Sequence, residues 1–298
     1  MRTAFIEELI RLAAENPRIF LIVGDLGFSV VEPFAKAFPE RFLNAGVAEQ
    51  NMTGVAAGLA SEGWQVFTYS IANFPTLRCY EQIRNDVCYH NLPVTIVAVG
   101  AGLSYGNLGY SHHAVQDLAV FRPLPNLTLL SPADPGETRS CLQYLSANPG
   151  PAYLRIGKAG EPVLHPDMPL SREPIRVLGD GDAATAIVAT GAILQQALEA
   201  GRAAVVEGLS VAVYSLPWVS PLGATDLAVL WCHQRVVTVE EHVGAGGIGE
   251  LIAARRPGTV EVHSLHAQEH LAGQVGSQTC LWGQHGIDAA GIRRALRV

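Results

Sequence analysis
The sequence predicts an α/β protein of two domains, each a mostly parallel sheet covered by helices. Three observations predict it. Short apolar runs alternate with helix-length segments along most of the chain, and strands joined through helical crossovers pair in parallel. The alternation fails once, between about 158 and 182, where Pro162, Pro166, Pro169 and Pro174 arrive among charged residues. The chain has 298 residues, more than one hydrophobic core ordinarily organises. These place a first domain over 1–160, a linker over 161–182 and a second, smaller domain over 183–298.

The elements follow in order. Thr3 is placed to cap a first helix whose Phe5, Leu9, Leu12 and Ala13 share one face, and Asn16-Pro17 stops it. "IFLIVGD" reads as a short strand ending at a Gly-Asp turn. An apolar helix from about Glu49 comes next, then the strand "WQVFTY", a helix around 75 to 90, and the strand "VTIVAV". A glycine-rich loop over 100 to 112, the strand "LTLL", a helix from Asp134 and the strand "AYLRI" close the first half. Beyond the prolines come "ATAIVAT", a helix over 192 to 207, "SVAVYSL", "RVVTVEEH", a helix after Gly247, "TVEVHSL" and a last helix from Asp288.

Composition narrows the function. With 49% hydrophobic and 16% charged residues the chain has little polar surface, which implies a sizeable subunit interface. The net charge of −7 is spread without a basic run, which excludes the electrostatic footprint of a nucleic-acid binder. The N-terminal stretch mixes three acids with its apolar residues and lacks the features of a signal peptide, so it is expected to be a helix. No uncharged apolar stretch reaches bilayer-spanning length, and a soluble, cytoplasmic protein without membrane contact is expected. Cys79, Cys88, Cys141, Cys232 and Cys280 are odd in number, dispersed and never in a C-x-x-C pair, so buried, inert thiols are expected.

Chemistry concentrates in "NAGVAEQNMTGVAAGLASEG", residues 44 to 63. Glu49 stands at a helix start, where an acid can simply complement the helix dipole on the surface. The face that follows it, "GVAAGLA", is too small and apolar to be solvated, which favours a second reading. The carboxyl then lies against another layer of protein and stays protonated or shares a proton with a basic nitrogen.

"RFLNAGVAEQNMTGVAAGLASEG" closely resembles the pyrimidine-binding domain of transketolases. "GYSHHAVQDLAVFRPLPNLTLLSPADPGET" resembles that family's Gly-x-Thr-His loop and the segment after it, and "GPAYLRIGK" its closing strand. "AIVATGAILQQALEA", "SVAVYSLPWVSPL" and "VVTVEEHVGAGGIGE" resemble the transketolase C-terminal domain. Nearly the whole chain is covered in the family's order. The resemblance implies that Glu49 hydrogen-bonds the aminopyrimidine of thiamine diphosphate and favours the imino tautomer that deprotonates the thiazolium carbon. A dry pocket makes that bond strong enough to shift the tautomer.

By the same resemblance, Gln50 joins Glu49 and Phe74 at the cofactor, Phe74 as the ring stacked on the pyrimidine. A core phenylalanine is the other reading of Phe74. His112 matches the loop histidine beside the substrate oxygens and is the second catalytic candidate. His113 inherits no role. Lys158, where relatives place a phosphate-gripping arginine, and Arg155 on the same strand are candidates to contact substrate. A solvated linker lysine is the equal alternative for Lys158. Two positions depart from the family: Gly100 stands for a phosphate-binding histidine, and Leu108 for an aspartate that recognises a donor hydroxyl. Cofactor chemistry looks retained, while the ordinary pentose-phosphate substrates are put in doubt.

Family members hold the diphosphate and its Mg2+ (or Ca2+) through a separate domain carrying Gly-Asp-Gly and, about 30 residues on, an asparagine. The only such triplet here, Gly179 to Gly181, sits in the linker with no asparagine after Asn148, so no metal ligand is expected in this chain. The resemblance therefore implies one subunit of a split transketolase. An N-terminal subunit would bring the diphosphate domain, and an α2β2 heterotetramer would act on small sugar substrates. A deoxyxylulose-phosphate-synthase-like or 2-oxo-acid-dehydrogenase-beta-like subunit is the alternative enzyme, and a non-catalytic scaffold the alternative of another class. His263, His266 and His270 in "HSLHAQEH" begin on a strand and need not share a face, and the glycines of "HVGAGGIGE" are expected to form a structural turn.

Overall fold
The computed structural model describes residues 1–269 and 273–297. Helix α1 (Arg2–Glu15) buries Phe5, Leu9, Leu12 and Ala13 as their spacing predicts, and also Glu8, whose carboxylate accepts from Arg11 and Gln143. It begins one residue before Thr3, so Met1 takes the cap position and Thr3 lies in the first turn. Next come β1 (Ile19–Val23), α2 (Glu32–Ala37), β2 (Phe42–Asn44), α3 (Glu49–Ser61) and β3 (Gln65–Ile71). The helix expected around 75 to 90 is three short pieces: a 3-10 turn (Leu77–Cys79), α4 (Tyr80–Gln82) and a π turn (Ile83–Cys88). Strand β4 (Val94–Val99), α5 (Asp117–Phe121), β5 (Thr128–Leu130), α6 (Pro135–Ala147) and β6 (Ala152–Ile156) follow. Asp134 caps α6 by accepting from the Glu137 N–H at 2.8 Å.

The second half contains β7 (Ile175–Leu178), β8 (Thr185–Thr190), α7 (Leu194–Val206), β9 (Val211–Ser215), β10 (Trp218–Ser220) and β11 (Arg235–Val243). It continues with α8 (Ile248–Ala253), β12 (Glu261–Ala267), α9 (Gln278–His285) and α10 (Ala289–Leu296). Among the described residues the strands form two sheets, in the orders β10-β5-β6-β4-β3-β1-β2 and β12-β11-β8-β9-β7. All pairings are parallel except β10 with β5 and β7 with β9. Strands such as β4 are buried along their whole length, which is why they read as unbroken apolar runs rather than alternating ones.

Two strands depart from the expected organisation. β7 lies inside the segment read as linker, and it pairs because Ile175 and Leu178 find β9 across an antiparallel register. β10 leaves the second half to extend the first sheet beside β5, with Trp218 opposite Leu130. The two halves are thereby stitched together. Gly179-Asp180-Gly181 is the turn after β7, with Asp180 exposed and its carbonyl accepting from Ala183 N–H. The expectation of five buried thiols holds for Cys79, Cys88 and Cys141, whereas Cys232 and Cys280 are exposed. No helix among the described residues is long and apolar enough to cross a membrane.

Candidate active site
The chain passes from β1 to β2 on one side and returns with β3 on the other, so the order in which strands are added reverses between the parallel strands β1 and β3. The carboxyl ends of strands at such a reversal form the crevice where open α/β sheets bind ligands. Gly24 follows β1, Ser70 sits near the end of β3, and α3 begins with Glu49 against both. An ideal Cβ on Gly24 would lie 3.4 Å from Ser70 Oγ and 3.6 Å from Glu49 Cγ. A Cβ at 24 would thus touch both side chains at ordinary van der Waals distance, and a longer side chain would have to displace them.

Glu49 is 1% exposed. Its Oε2 accepts from Arg78 Nη1 at 2.7 Å, while its Oε1 is buried with no partner, as is Ser70 Oγ. An unpaired buried carboxylate oxygen is costly, and a site that keeps one offers it to a ligand. The small face of α3 leaves Met52, Ala56 and Ala57 buried behind it, so the carboxyl has apolar backing. Thr53 Oγ1 donates to the Glu49 carbonyl at 2.9 Å and fixes the first turn.

Arg78 is the functional-site residue that sequence reasoning missed. The sole signal was its place shortly after Phe74 in "FPTLR", and the turn over 72–76 brings the two side chains together. The Arg78 guanidinium lies 5.3 Å from the centre of the Phe74 ring, and the Phe74 and His112 rings are 5.3 Å apart, edge to face. Glu49, Arg78, Phe74 and His112 thus form a continuous chain of contacts. Asn73 Nδ2 ties the His112 loop down by donating to the carbonyls of Ser111 and His113. His112 Nδ1 lies 2.9 Å from Ser111 Oγ.

The remaining candidates divide. Gln50 is exposed, and its amide donates to the Arg78 carbonyl at 3.1 Å, bracing the segment that carries Arg78. Lys158 is exposed and sets its ammonium 5.1 Å from the Tyr105 ring centre. Arg155, expected at the substrate, is 1% exposed and hydrogen-bonded in the interior: Nε donates to Asp117 Oδ2 at 2.7 Å, and Nη2 donates to the carbonyls of Ala114 and Glu241 at 2.7 and 2.9 Å. β6 is buried along its whole length, and Arg155 on it links the first half to the Glu241 carbonyl in the second. His113 is buried, with Nε2 3.2 Å from the Gly106 carbonyl and Nδ1 unpartnered, beside a cavity of 300 Å³ that Phe74 and Arg78 also line.

The glycine-rich turn before α8 is a self-capped helix start. Glu240 accepts from the N–H groups of Ile248 and Gly249 at 2.8 and 2.9 Å, and burial lifts its carboxyl to about 7. Those donors are occupied, so the turn does not cradle a phosphate. Among the described residues no group of three or more His, Cys, Asp or Glu could hold a metal ion, and His270 lies outside them.

Fold and site define a two-domain α/β protein with a ligand crevice at the reversal point of its first sheet, centred on a dry carboxyl. The family model of the transketolase pyrimidine binding domain matches residues 1–160, and that of the transketolase C-terminal domain matches residues 175–279. The chain belongs to the transketolase family. It is 33% identical over 268 residues to an apulose-4-phosphate transketolase chain of Actinobacillus succinogenes, with 88% of this chain and 86% of that one covered. It is 36% identical to a 1-deoxy-D-xylulose-5-phosphate synthase of Geobacter sulfurreducens, spanning 46% of that longer protein with 98% of itself. Among solved structures, a split gene transketolase in an inactive beta4 tetramer superposes with a TM-score of 0.85 at 34% identity, covering 99% of this chain and 96% of the other.

Proposed function
We propose that this chain is the C-terminal subunit of a split, thiamine-diphosphate-dependent transketolase that moves a two-carbon ketol unit from a ketose donor to an aldose acceptor. The observation that carries the reading is the buried, unpartnered Oε1 of Glu49 at the sheet's reversal point. An orphan carboxyl oxygen in apolar surroundings fits a ring nitrogen of an aminopyrimidine, with one proton held between the two atoms. When bound, thiamine diphosphate supplies the nucleophilic carbon of ketol transfer. Glu49 holds the proton at its Oε1 and Arg78 fixes the other oxygen, so the carboxyl keeps one orientation. Phe74 offers its ring as the wall against the pyrimidine, the small face of α3 excludes water, and His112 delivers or accepts a proton at the substrate oxygens.

Among the described residues no group of three or more His, Cys, Asp or Glu could hold a metal ion. We assign the diphosphate and its Mg2+ (or Ca2+) to an N-terminal partner subunit, in an α2β2 assembly in the cytoplasm. The exposed apolar side chains ringing the site support a covering partner: Phe28, Val47, Leu77, Leu108 and Tyr110 are all solvent-facing. The test is calorimetry of thiamine diphosphate with magnesium on this chain alone and on its mixture with the diphosphate-domain protein. Binding is expected only in the mixture, and tight magnesium-dependent binding to the isolated chain would refute the assignment. In the mixture, Glu49→Ala should lower turnover at least about 100-fold; near-normal turnover would refute its role. The synthase-type relative keeps a second reading alive, an oxo-acid-decarboxylating subunit, and ketose donors compared against pyruvate decide between them.

A further inference from the structure
The loop from Gly100 to His112 is built around an aromatic ring. Gly100 has φ +91°, and a Cβ added there would fall 2.2 Å from two carbons of the Tyr105 ring. Residue 100 must therefore lack a side chain for Tyr105 to lie where it does. The ring reaches in two directions: the His112 ring is 6.3 Å away edge-on, and Lys158 Nζ stands 5.1 Å from its centre. With Tyr69, Ile71 and Val99, Tyr105 also lines a 190 Å³ cavity at the carboxyl ends of β3 and β4, the same sheet edge that carries Glu49.

From Gly100 to Ser111 the loop has no charged side chain, and Leu108, on its outer turn, is 49% exposed. The loop itself offers shape, and the charges that face Tyr105 come from outside it, Lys158 over its ring and Arg2 across the cavity. Burial raises the Tyr105 phenol above its ordinary pKa, so it stays neutral, and its hydroxyl makes no hydrogen bond among the described residues. We propose that Tyr105 is the specificity-determining residue of the donor end of this site, its ring filling the space over Gly100 and limiting the length of ketose chain that fits beyond His112. The proposal rests on the ketol-transfer reading and deepens it: donors with a short chain beyond the transferred unit are preferred over long ones.

The experiment uses the chain assembled with its partner subunit. Three donors are compared: hydroxypyruvate, which leaves its ketol unit by losing carboxylate as carbon dioxide and has no further chain, xylulose 5-phosphate and fructose 6-phosphate. Tyr105→Ala should raise the ratio of kcat/KM for fructose 6-phosphate over hydroxypyruvate by about 10- to 100-fold, the range a few methylenes of pocket space decide, chiefly through KM. Tyr105→Phe keeps the ring and should keep the discrimination. A ratio that does not move in Tyr105→Ala, or all donors falling by one common factor, overturns the proposal and leaves ketol transfer standing. Failure of the wild-type assembly to use any of the three overturns both. A second readout needs no activity: Gly100→Ala should lower Tm markedly in the wild-type background and clearly less in Tyr105→Ala. Equal losses in the two backgrounds would show that the ring does not fill that space and overturn the proposal.

Discussion
Replacing Arg155 by Met should destabilise the isolated chain by about 4 kcal/mol, within the range of about 3–5 kcal/mol found when one partner of a buried ion pair is removed. The structure supplies the reasons. Arg155 is 1% exposed and satisfies three acceptors at once, Asp117 Oδ2 and the carbonyls of Ala114 and Glu241. Asp117, also 1% exposed, would retain only the Tyr153 hydroxyl at 2.7 Å on Oδ2, since its Oδ1 already lacks a partner. Two carbonyls would lose a donor, at about 1–3 kcal/mol each before relaxation. At about 2–4 °C per kcal/mol for a protein of this size, Tm should fall by about 8–16 °C. Adding Asp117→Asn should restore roughly half, because the amide keeps the Tyr153 bond and removes the stranded charge. The assay is calorimetric or urea unfolding of the chain without ligand. A loss below about 1 kcal/mol, with a raised donor KM in the assembled enzyme, would refute the interior role and return Arg155 to the substrate.

Two further outcomes follow from titratable groups. His165 Nε2 lies 3.0 Å from Glu137 Oε1, and this hydrogen bond lifts the imidazole to about 9 against the opposing effect of burial. A folded-state pKa above the unfolded value of about 6.5 stabilises fully below that value and is lost as pH rises towards 9. Wild type minus His165→Gln should therefore lose on the order of 1–2 kcal/mol between about pH 6.5 and 9, and urea midpoints across that window check it; a flat difference would contradict the pairing. For the thiols, Cys232 and Cys280 should react with a maleimide in the native chain at pH 8, whereas Cys79, Cys88 and Cys141 react only after unfolding. Burial holds Cys79 and Cys88 at about 11 and about 12, so native labelling of either at a comparable rate would contradict their burial.

Much of the fold was readable because local rules and long-range packing agree. Strands β1, β4, β8 and β9 are largely apolar runs buried on both faces, β3, β6 and β11 are buried although they carry polar side chains, and Asp134 and Asp288 cap the helices their positions announced. The elements that escaped notice are short or irregular: α2, α5, β2, β7, β10 and α9 are too short for a pattern to repeat convincingly, and the 3-10, α and π pieces over 77–88 keep helical spacing without one regular helix.

The site divides in the same way. Glu49 was conspicuous because a carboxylate opening a small apolar helix is a local contradiction, and local contradictions are visible in one dimension. Sequence by itself thus determined the alternating architecture, the family resemblance and the buried carboxyl. Only the tertiary structure decided that Arg78 takes one oxygen of Glu49 and leaves the other free, that Arg155 turns inward to Asp117, that β10 crosses to the first sheet, and that Tyr105 lies over Gly100. Side-chain partners of this kind are chosen by direction and distance between segments far apart in the chain. Periodicity, which reports only which face of an element is buried, carries no information about which group waits on the other side.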